Sequence, residues 1–465
     1  MLEKKRKIHF VGIGGVGMSG LALILHKMGH EVSGCDLSES KYLEKVREAG
    51  IPVFLGHHPS HLEGVEIVVY SSAVSLEHPE LKQARDLGLW VIPRAKMLAE
   101  VMSVHPKSIV VAGSHGKTTT TSMLAELLCK LGLKPTVVVG GLVNNLQSHS
   151  LLGEGTYLVA EADESDGSFL YYNPYITIIT NIDREHLDFY ADFTAIKKAF
   201  QNFILRTSPE GRVILCGDDP GIRETVSQLS LPFVFYGLSE GNEVSGKVLS
   251  DTAHPEVAVY HGKEFLGVLK LQVPGLHNVQ NALGVIACAI VLGLPIPKVL
   301  SVLSQFRGVK RRLELKGMAK GALIYDDYAH HPREVEVSLK ALKKKHPDKR
   351  LIVLFQPHRY TRTKALWEDF LLVLKVPDIL ILTDIYPASE KPIPGVSGEA
   401  LYQAVKEIRK EKPTFYAEKS KALEVVKALL SPGDLFVTMG AGDVYKIGEA
   451  LLTVIEGRDE KVLSA

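Results

Sequence analysis

Two glycine-rich turns, Gly12-Ile13-Gly14-Gly15-Val16-Gly17 and Gly113-Ser114-His115-Gly116-Lys117-Thr118-Thr119-Thr120, constrain this chain most. Each follows a short apolar run, Ile8 to Val11 and Ile109 to Ala112, and each leads into a helical pattern. A strand that turns through glycines into a helix leaves backbone N–H groups and a positive dipole end facing an anion. One such loop indicates a nucleotide-binding protein. Two different ones indicate an enzyme that holds two phosphorylated molecules together.

At 465 residues the chain exceeds a single hydrophobic core, so two to three domains are expected. A net charge of +1 gives no global field that would favour nucleic acid or an anionic membrane, so acidic ligands must be met by local groups. The four cysteines, Cys35, Cys129, Cys216 and Cys288, form no C-x-x-C pair and sit in apolar stretches. Buried free thiols are therefore expected, and not disulfides or a zinc site. Lys4-Lys5-Arg6-Lys7 ahead of an apolar run resembles a secretory signal, but glycines and His9 interrupt that run. With no long uninterrupted apolar stretch, a cytoplasmic protein without membrane insertion is expected.

β-branched runs alternate with amphipathic helices throughout, the pattern of parallel sheets with crossover helices. The fold class expected is α/β in three domains. These are a Rossmann-like domain over 1–104, a central P-loop domain with added antiparallel strands over 105–309, and a Rossmann-like domain over 310–465. Strands are expected at Ile8–Val11, Glu31–Cys35, Ile67–Tyr70 and Trp90–Ile92. The central set is Val137–Val139, Tyr157–Glu161, Ile176–Thr180 and Val213–Cys216, with a hairpin of Val257–Tyr260 against Phe265–Leu269. The last set is Ala322–Tyr325, Leu351–Phe355, Ile379–Thr383 and Leu435–Met439.

The first loop, with Asp36 about 20 residues on, matches the dinucleotide fingerprint. Alone it cannot separate NAD from a UDP-sugar, since both offer a pyrophosphate and a ribose, and close strand–helix packing would also use its glycines. The second loop is two residues shorter than a standard Walker A loop, with Val111 where the first glycine would stand. It keeps the backbone cradle, a lysine for the β- and γ-phosphates, and a Thr118 hydroxyl that can reach Mg²⁺. Glu161-Ala162-Asp163-Glu164-Ser165-Asp166 and Asn181-Ile182-Asp183-Arg184-Glu185-His186-Leu187-Asp188 follow strands whose carboxyl ends converge on a ligand crevice. Glu161 and His186 are the expected metal ligands, and most of the other acids are expected to be solvated or structural.

Near the C-terminus, Tyr325-Asp326-Asp327-Tyr328-Ala329-His330-His331-Pro332 and Gln356-Pro357-His358-Arg359-Tyr360-Thr361-Arg362-Thr363 each follow a strand. Arg359 and Arg362, three apart at a helix start, are expected on one face as a fork for a carboxylate, unless they form a solvated surface pair. Adjacent His330 and His331 point apart in most settings and are weak zinc candidates.

This ordered set, with His277-Asn278-Val279-Gln280-Asn281 and Arg311-Arg312, resembles the Mur ligase family along nearly the whole chain. The resemblance implies UDP-binding, ATPase and amino-acid domains, in that order. It implies ATP-driven joining of L-alanine to the lactyl carboxylate of UDP-N-acetylmuramate through an acyl phosphate, a step of peptidoglycan synthesis. Gly12, Gly14, Gly15, Val16, Gly17, Asp36, Ser71, Ser72 and His115 would hold the UDP substrate. Gly113, Ser114, His115, Gly116, Lys117, Thr118 and Thr119 would hold the ATP phosphates, with Asn278 at the adenine and Asp327 at the ribose. Arg312 would reach the phosphates. Thr118, Glu161 and His186 would hold two Mg²⁺ ions, for which Mn²⁺ can substitute, and Lys117, Glu161, His186 and Arg312 would be catalytic. Tyr328, His330, Arg359 and Arg362 would hold the alanine.

The chain departs from several relatives in one respect. They carry a carbamoylated lysine about 15 residues after the histidine of the Asn181–Asp188 segment, where Phe200-Gln201 stand here, so no such modification is implied. The nearest alternative is a ligase that joins a recycled murein peptide to the same sugar nucleotide. An NAD-dependent oxidoreductase would rest on the first loop alone, and an ATP-driven motor or switch on the second alone.

Overall fold

The computed structural model describes all residues except 72–73, 144–147, 187–188, 389 and 463–465. Two compact units are present. One comprises Met1–Leu249, Glu256–Leu271 and Asn278–Arg307, and the other Ser250–Pro255, Gln272–His277 and Gly308–Ala465. No helix among the described residues is long and apolar enough to cross a membrane.

The first unit holds two sheets. Its five-stranded sheet runs in the order Val53–Leu55, Glu31–Asp36, Lys7–Val11, Ile67–Tyr70, Trp90–Pro93, all parallel. Its ten-stranded sheet runs Glu264–Lys270, Glu256–His261, Val244–Ser250, Phe233–Gly237, Arg212–Cys216, Ile176–Ile179, Lys107–Ala112, Tyr157–Glu161, Thr136–Val143, Ser148–Leu151. Ile109 to Ala112 are wholly buried, as a central parallel strand covered on both faces requires. Its neighbours Ile176–Ile179 and Tyr157–Glu161 run parallel to it, so all three carboxyl ends open on one edge. The expected hairpin is present, with Val257 opposite Leu269 and Gly262 at φ +58° in its turn.

The second unit holds a six-stranded sheet in the order Glu314–Ala319, Ala322–Asp327, Leu435–Met439, Leu351–Phe355, Ile379–Leu382, Thr414–Tyr416. Separate apolar cores around Leu339, Phe355 and Phe370, and around Ile324, Ile352 and Phe436, contain alternate residues of its strands. The added first strand is antiparallel, pairing Ala319 with Ala322.

Six strands have no counterpart in the sequence reading: Val53–Leu55, Ser148–Leu151, Phe233–Gly237, Val244–Ser250, Glu314–Ala319 and Thr414–Tyr416. Among these, Val53–Leu55 and Thr414–Tyr416 are three-residue edges, too short to show a period, and Glu314–Ala319 is an edge without an apolar run, with Met318 65% exposed. The thiol expectation needs one correction. All four cysteines are free, but Cys129 is only half-buried because it lies near the end of the helix Lys117–Lys130.

Candidate active site

The second glycine loop is shaped by what surrounds it. Gly113 has φ +130°, and a Cβ there would lie 2.2 Å from Thr180 Oγ1; Gly116 has φ +81° and would meet Asn281 Oδ1 at 2.6 Å. Only glycine fits either position. The end of the neighbouring strand clamps the loop from below. His115 N–H donates to Asn181 Oδ1 at 2.8 Å, while the His115 carbonyl accepts from Thr180 Oγ1 and Asn181 Nδ2. Asp183 N–H donates to Ser114 Oγ at 2.9 Å, and His115 Nε2 lies 3.3 Å from Asp183 Oδ2. A Gly113→Ala variant is expected to lose most activity and about 1–3 kcal/mol of stability, read from turnover and a denaturant midpoint.

Lys117 opens the following helix and folds back over the loop. Its ammonium donates to the carbonyls of Gly113 (2.6 Å) and Ser114 (3.1 Å) and to Glu164 Oε1 (2.9 Å). Burial alone would lower its pKa, but the carboxylates of Glu164, Glu185, Asp163 and Glu161 hold it above the ordinary lysine value. Thr118 Oγ1 donates to both oxygens of Glu161, at 2.9 and 3.0 Å. Thr119 is buried in the same first turn.

Glu164 and Glu185 are not singled out by the sequence reading, which expects most acids besides Glu161 to be solvated or structural. Both are buried, and with His186 they place ligand atoms within 4.8 Å of one another. His186 Nε2 lies 3.4 Å from Glu164 Oε1 and 3.7 Å from Glu185 Oε2, with the His186 backbone at φ +55°. Burial disfavours charge on the His186 ring, but the two carboxylates outweigh it and raise its pKa. Glu164 Oε2 is buried with no hydrogen-bond partner among the described residues. Oxygen donors with an orphaned carboxylate oxygen suit a hard divalent cation. Phe200, where a modified lysine would stand, is wholly buried, and Gln201 donates to the Thr225 carbonyl. Asn278 is also buried, accepting from Asn281 Nδ2 at 3.5 Å on the helix Leu276–Val291 that approaches Gly116.

The first loop closes on its own strand ends. Gly12, at φ +84°, and Ile13 both donate their N–H to the Cys35 carbonyl. Asp36 accepts from Gly14 N–H at 2.8 Å through one oxygen and from Leu37 N–H through the other. Gly15 caps the helix Val16–Lys27, where Gly17 lies early in the first turn. Ser71 N–H donates to the Val11 carbonyl, and Ser72 lies outside the described residues. Sequence reasoning passed over Arg94: a Cβ on Gly17 would lie 3.2 Å from its Nη1, so a guanidinium stands beside the loop.

In the second unit, rings and cations collect at the carboxyl ends of Ala322–Asp327 and Leu351–Phe355. Tyr328 packs edge-on to His330 (5.4 Å between centroids), His330 on His358 (5.6 Å), and His358 stacks on Tyr386 (5.5 Å). Arg362 Nη1 is 3.1 Å from His358 Nδ1, and Arg312 lies over the Tyr328 ring. Arg312 also pairs with Glu334 at 3.5 Å. Asp327 is buried, its oxygens accepting from the N–H groups of Leu313 and Ala329 and from the Ser338 hydroxyl. His331 Nδ1 caps the helix Pro332–Lys345, in a capping box with Glu334. Arg359 precedes the helix Tyr360–Ala365 at φ +68°, so it does not share a helical face with Arg362. Its N–H is drawn to the Tyr386 carbonyl at 2.9 Å, which forces that backbone.

The His358 pKa is pushed down to about 3, first by burial and then by His330, Arg362 and Arg359. The unfolded ring would take a proton near 6.5, so unfolding binds a proton between those values and this contribution is lost as pH falls. Asp327 works in the opposite sense. Burial raises its pKa to about 6 from 3.8, against the pull of Arg312, so its contribution falls as pH rises through that window. A His358→Gln variant is therefore expected to lose about 1–2 kcal/mol less than the parent between neutral pH and about pH 5, read from urea midpoints.

A parallel sheet that delivers a Gly-Lys-Thr loop and an acidic cation set to one edge defines a phosphate-handling α/β enzyme. Sequence profiles of the Mur ligase family match three successive segments: its catalytic domain at residues 7–105, its middle domain at 111–289, and its glutamate ligase domain at 311–442. The chain belongs to the Mur ligase family. It is 44% identical over 448 residues to a UDP-N-acetylmuramate–L-alanine ligase of Solidesulfovibrio magneticus, covering 96% of this chain and 98% of that one. The crystal structure of a UDP-N-acetylmuramate–alanine ligase from Thermotoga maritima superposes with a TM-score of 0.83 at 29% identity, covering 97% and 100%. A murein peptide ligase from Psychrobacter arcticus gives 0.72 at 26% identity, covering 97% and 98%.

Proposed function

We propose that this chain joins L-alanine to the lactyl carboxylate of UDP-N-acetylmuramate at the expense of ATP, passing through an acyl phosphate. In this reading residues 1–104 hold the sugar nucleotide, 105–309 the ATP, and 310–465 the amino acid. The observation that carries it is the Lys117 ammonium, fixed over a glycine cradle and flanked by Thr118, Glu161, Glu164, Glu185 and His186. Full-length identity to alanine-adding relatives supplies the choice of amino acid.

The chemistry sets a clear electrostatic demand. A sugar carboxylate must approach a triphosphate, and like charges at about 4 Å repel by roughly 4 kcal/mol at an effective dielectric near 20. Lys117 offsets part of that charge, and the loop N–H groups orient the transferring phosphoryl group. Thr118 with Glu161, and Glu164 with Glu185 and His186, would hold Mg²⁺, which when bound supplies further positive charge at the phosphate oxygens. Arg94 and the first loop orient the UDP diphosphate. In the second unit, Arg359 and Arg362 receive the alanine carboxylate, and the Tyr328, His330 and His358 rings limit the room left for its side chain. Asp327 serves this pocket by fixing the turn that carries Tyr328 and the segment after Arg312.

The decisive experiment measures phosphate release with each substrate omitted in turn. Release is expected only with ATP, UDP-N-acetylmuramate and L-alanine all present, with the amide product in equal amount. Release that ignores the sugar nucleotide would defeat the proposal. Preference for a murein tripeptide over alanine would transfer the chain to the peptide-recycling activity.

A further inference from the structure

A second cluster of chemically competent side chains lies in the first unit and has no part in the ligation proposed above. Glu80, early in the helix Pro79–Asp86, is wholly buried. A buried carboxylate ordinarily has an arginine or lysine beside it. Among the described residues Glu80 has neither. Its oxygens meet His57 Nδ1 at 3.0 Å, His61 Nδ1 at 2.7 Å, the His58 backbone N–H at 3.0 Å and the Cys35 thiol at 3.1 Å. Cys35 Sγ is also 3.1 Å from His57 Nδ1.

The strand Lys7–Val11 adds His9, itself wholly buried. Its Nδ1 lies 2.9 Å from Ser33 Oγ, and its Nε2 is buried with no hydrogen-bond partner among the described residues. His61 is held by stacking on Phe54, with centroids 4.2 Å apart and planes 9° from parallel. His9, Cys35, His61 and Glu80 bring one ligand atom each within 4.8 Å of one another. They come from four separate elements: two strands, the short helix Pro59–Leu62 and the helix Pro79–Asp86.

We propose that His9, Cys35, His61 and Glu80 form a closed tetrahedral site for Zn²⁺ or a similar borderline-soft divalent ion, distinct from the acidic set beside Lys117. The donor set of two nitrogens, one sulfur and one oxygen is made of atoms zinc accepts, and its nitrogen and sulfur donors do not suit Mg²⁺. Bonds of about 2.0–2.3 Å set tetrahedral ligand separations near 3.3–3.8 Å, so the hydrogen-bonded pairs need to spread by less than about 1 Å. Binding releases the Cys35 thiol proton to solvent as the metal–sulfur bond forms. The His61 proton moves from Nδ1 to Nε2, freeing Nδ1 as donor with no net change, and Ser33 remains on His9 Nδ1 as the outer partner that fixes that ring. With Nδ1 taken by Ser33, the buried Nε2, unpartnered among the described residues, is the His9 atom left to ligate. The ion would tie together strands and helices that frame the first glycine loop.

The test uses the full-length chain, stripped with chelator, kept in excess Mg²⁺ and titrated with Co²⁺. One equivalent is expected to produce a thiolate-to-cobalt charge-transfer absorption, bleached by one equivalent of Zn²⁺. The acidic set beside Lys117 contains no thiol and cannot give this band. Cys35→Ser should abolish it and Cys129→Ser should keep it. Zn²⁺ should also raise the melting temperature of the parent and of Cys129→Ser alone. No thiolate band in the parent protein, or a band that survives Cys35→Ser, overturns the proposal. If Cys35→Ser fails to fold, His61→Asn takes its place, with tenfold or greater weakening of Co²⁺ binding expected and unchanged binding counting against the site.

Discussion

Lys117→Ala is expected to cut the rate of acyl phosphate formation by ~10³-fold or more, and to cost the first unit about 3 kcal/mol of stability. The two losses have different origins. The rate falls because the cation that meets the developing charge on the transferring phosphoryl group is gone. Stability falls because the Glu164 carboxyl group, 2% exposed, loses its closest cation. One oxygen of that group already lacks a hydrogen bond among the described residues, so it has little to settle on except His186. Combining Lys117→Met with Glu164→Gln separates the effects. The double variant should regain much of the melting temperature, since a neutral amide needs no counter-charge, while acyl phosphate trapping should stay as low as in the single variant. A single variant that turns over at near the parental rate would remove Lys117 from the chemistry. A single variant that melts like the parent would show that Glu164 does not depend on it.

What could be anticipated from the chain follows from how local each cause is. The glycine loops were legible because the demand is made by the backbone itself: Gly113 at φ +130° and Gly116 at φ +81° can be nothing else. Central strands such as Leu351–Phe355 were legible because burial on both faces leaves an unbroken apolar run. The acids were not. Glu161, Asp163, Glu164 and Asp166 stand within six residues, and nothing in their order says that Glu164 turns inward to Lys117 and His186 while Glu161 meets Thr118. That choice is made by the neighbouring strand and by the His186 backbone at φ +55°. Arg94 and Glu80 were invisible for the same reason, since their partners Gly17, Cys35 and His61 are brought to them only by the parallel crossovers. Arg359 illustrates a third case, in which a helical spacing argument gave two arginines one face and a carbonyl on Tyr386 took the first of them out of the helix.

That same residue carries the second large expected effect. Arg359→Ala should raise the alanine KM by roughly 10- to 100-fold with a smaller change in kcat, the loss expected when a charge-assisted hydrogen bond to a carboxylate is removed. Its backbone gives the means of distinguishing binding from structure. At φ +68° and ψ +137° the residue sits where a side chain costs about 1–3 kcal/mol, and it is held there by its N–H on Tyr386 and by its carbonyl accepting from both the N–H and the hydroxyl of Thr363. Strain retained at a non-glycine position makes sense if the side chain is needed at that point and in that direction. Arg359→Gly relieves the strain without disturbing those backbone bonds, so it should melt no lower than the parent, or about 1 kcal/mol more stable, while binding alanine as poorly as the Ala variant. Arg359→Lys keeps the charge but loses the planar fork, and should recover only part of the affinity. A structural arginine would behave in the opposite way, with Gly and Ala variants both less stable and the alanine KM unmoved. That outcome would take Arg359 out of the pocket and leave Arg362 to meet the carboxylate alone.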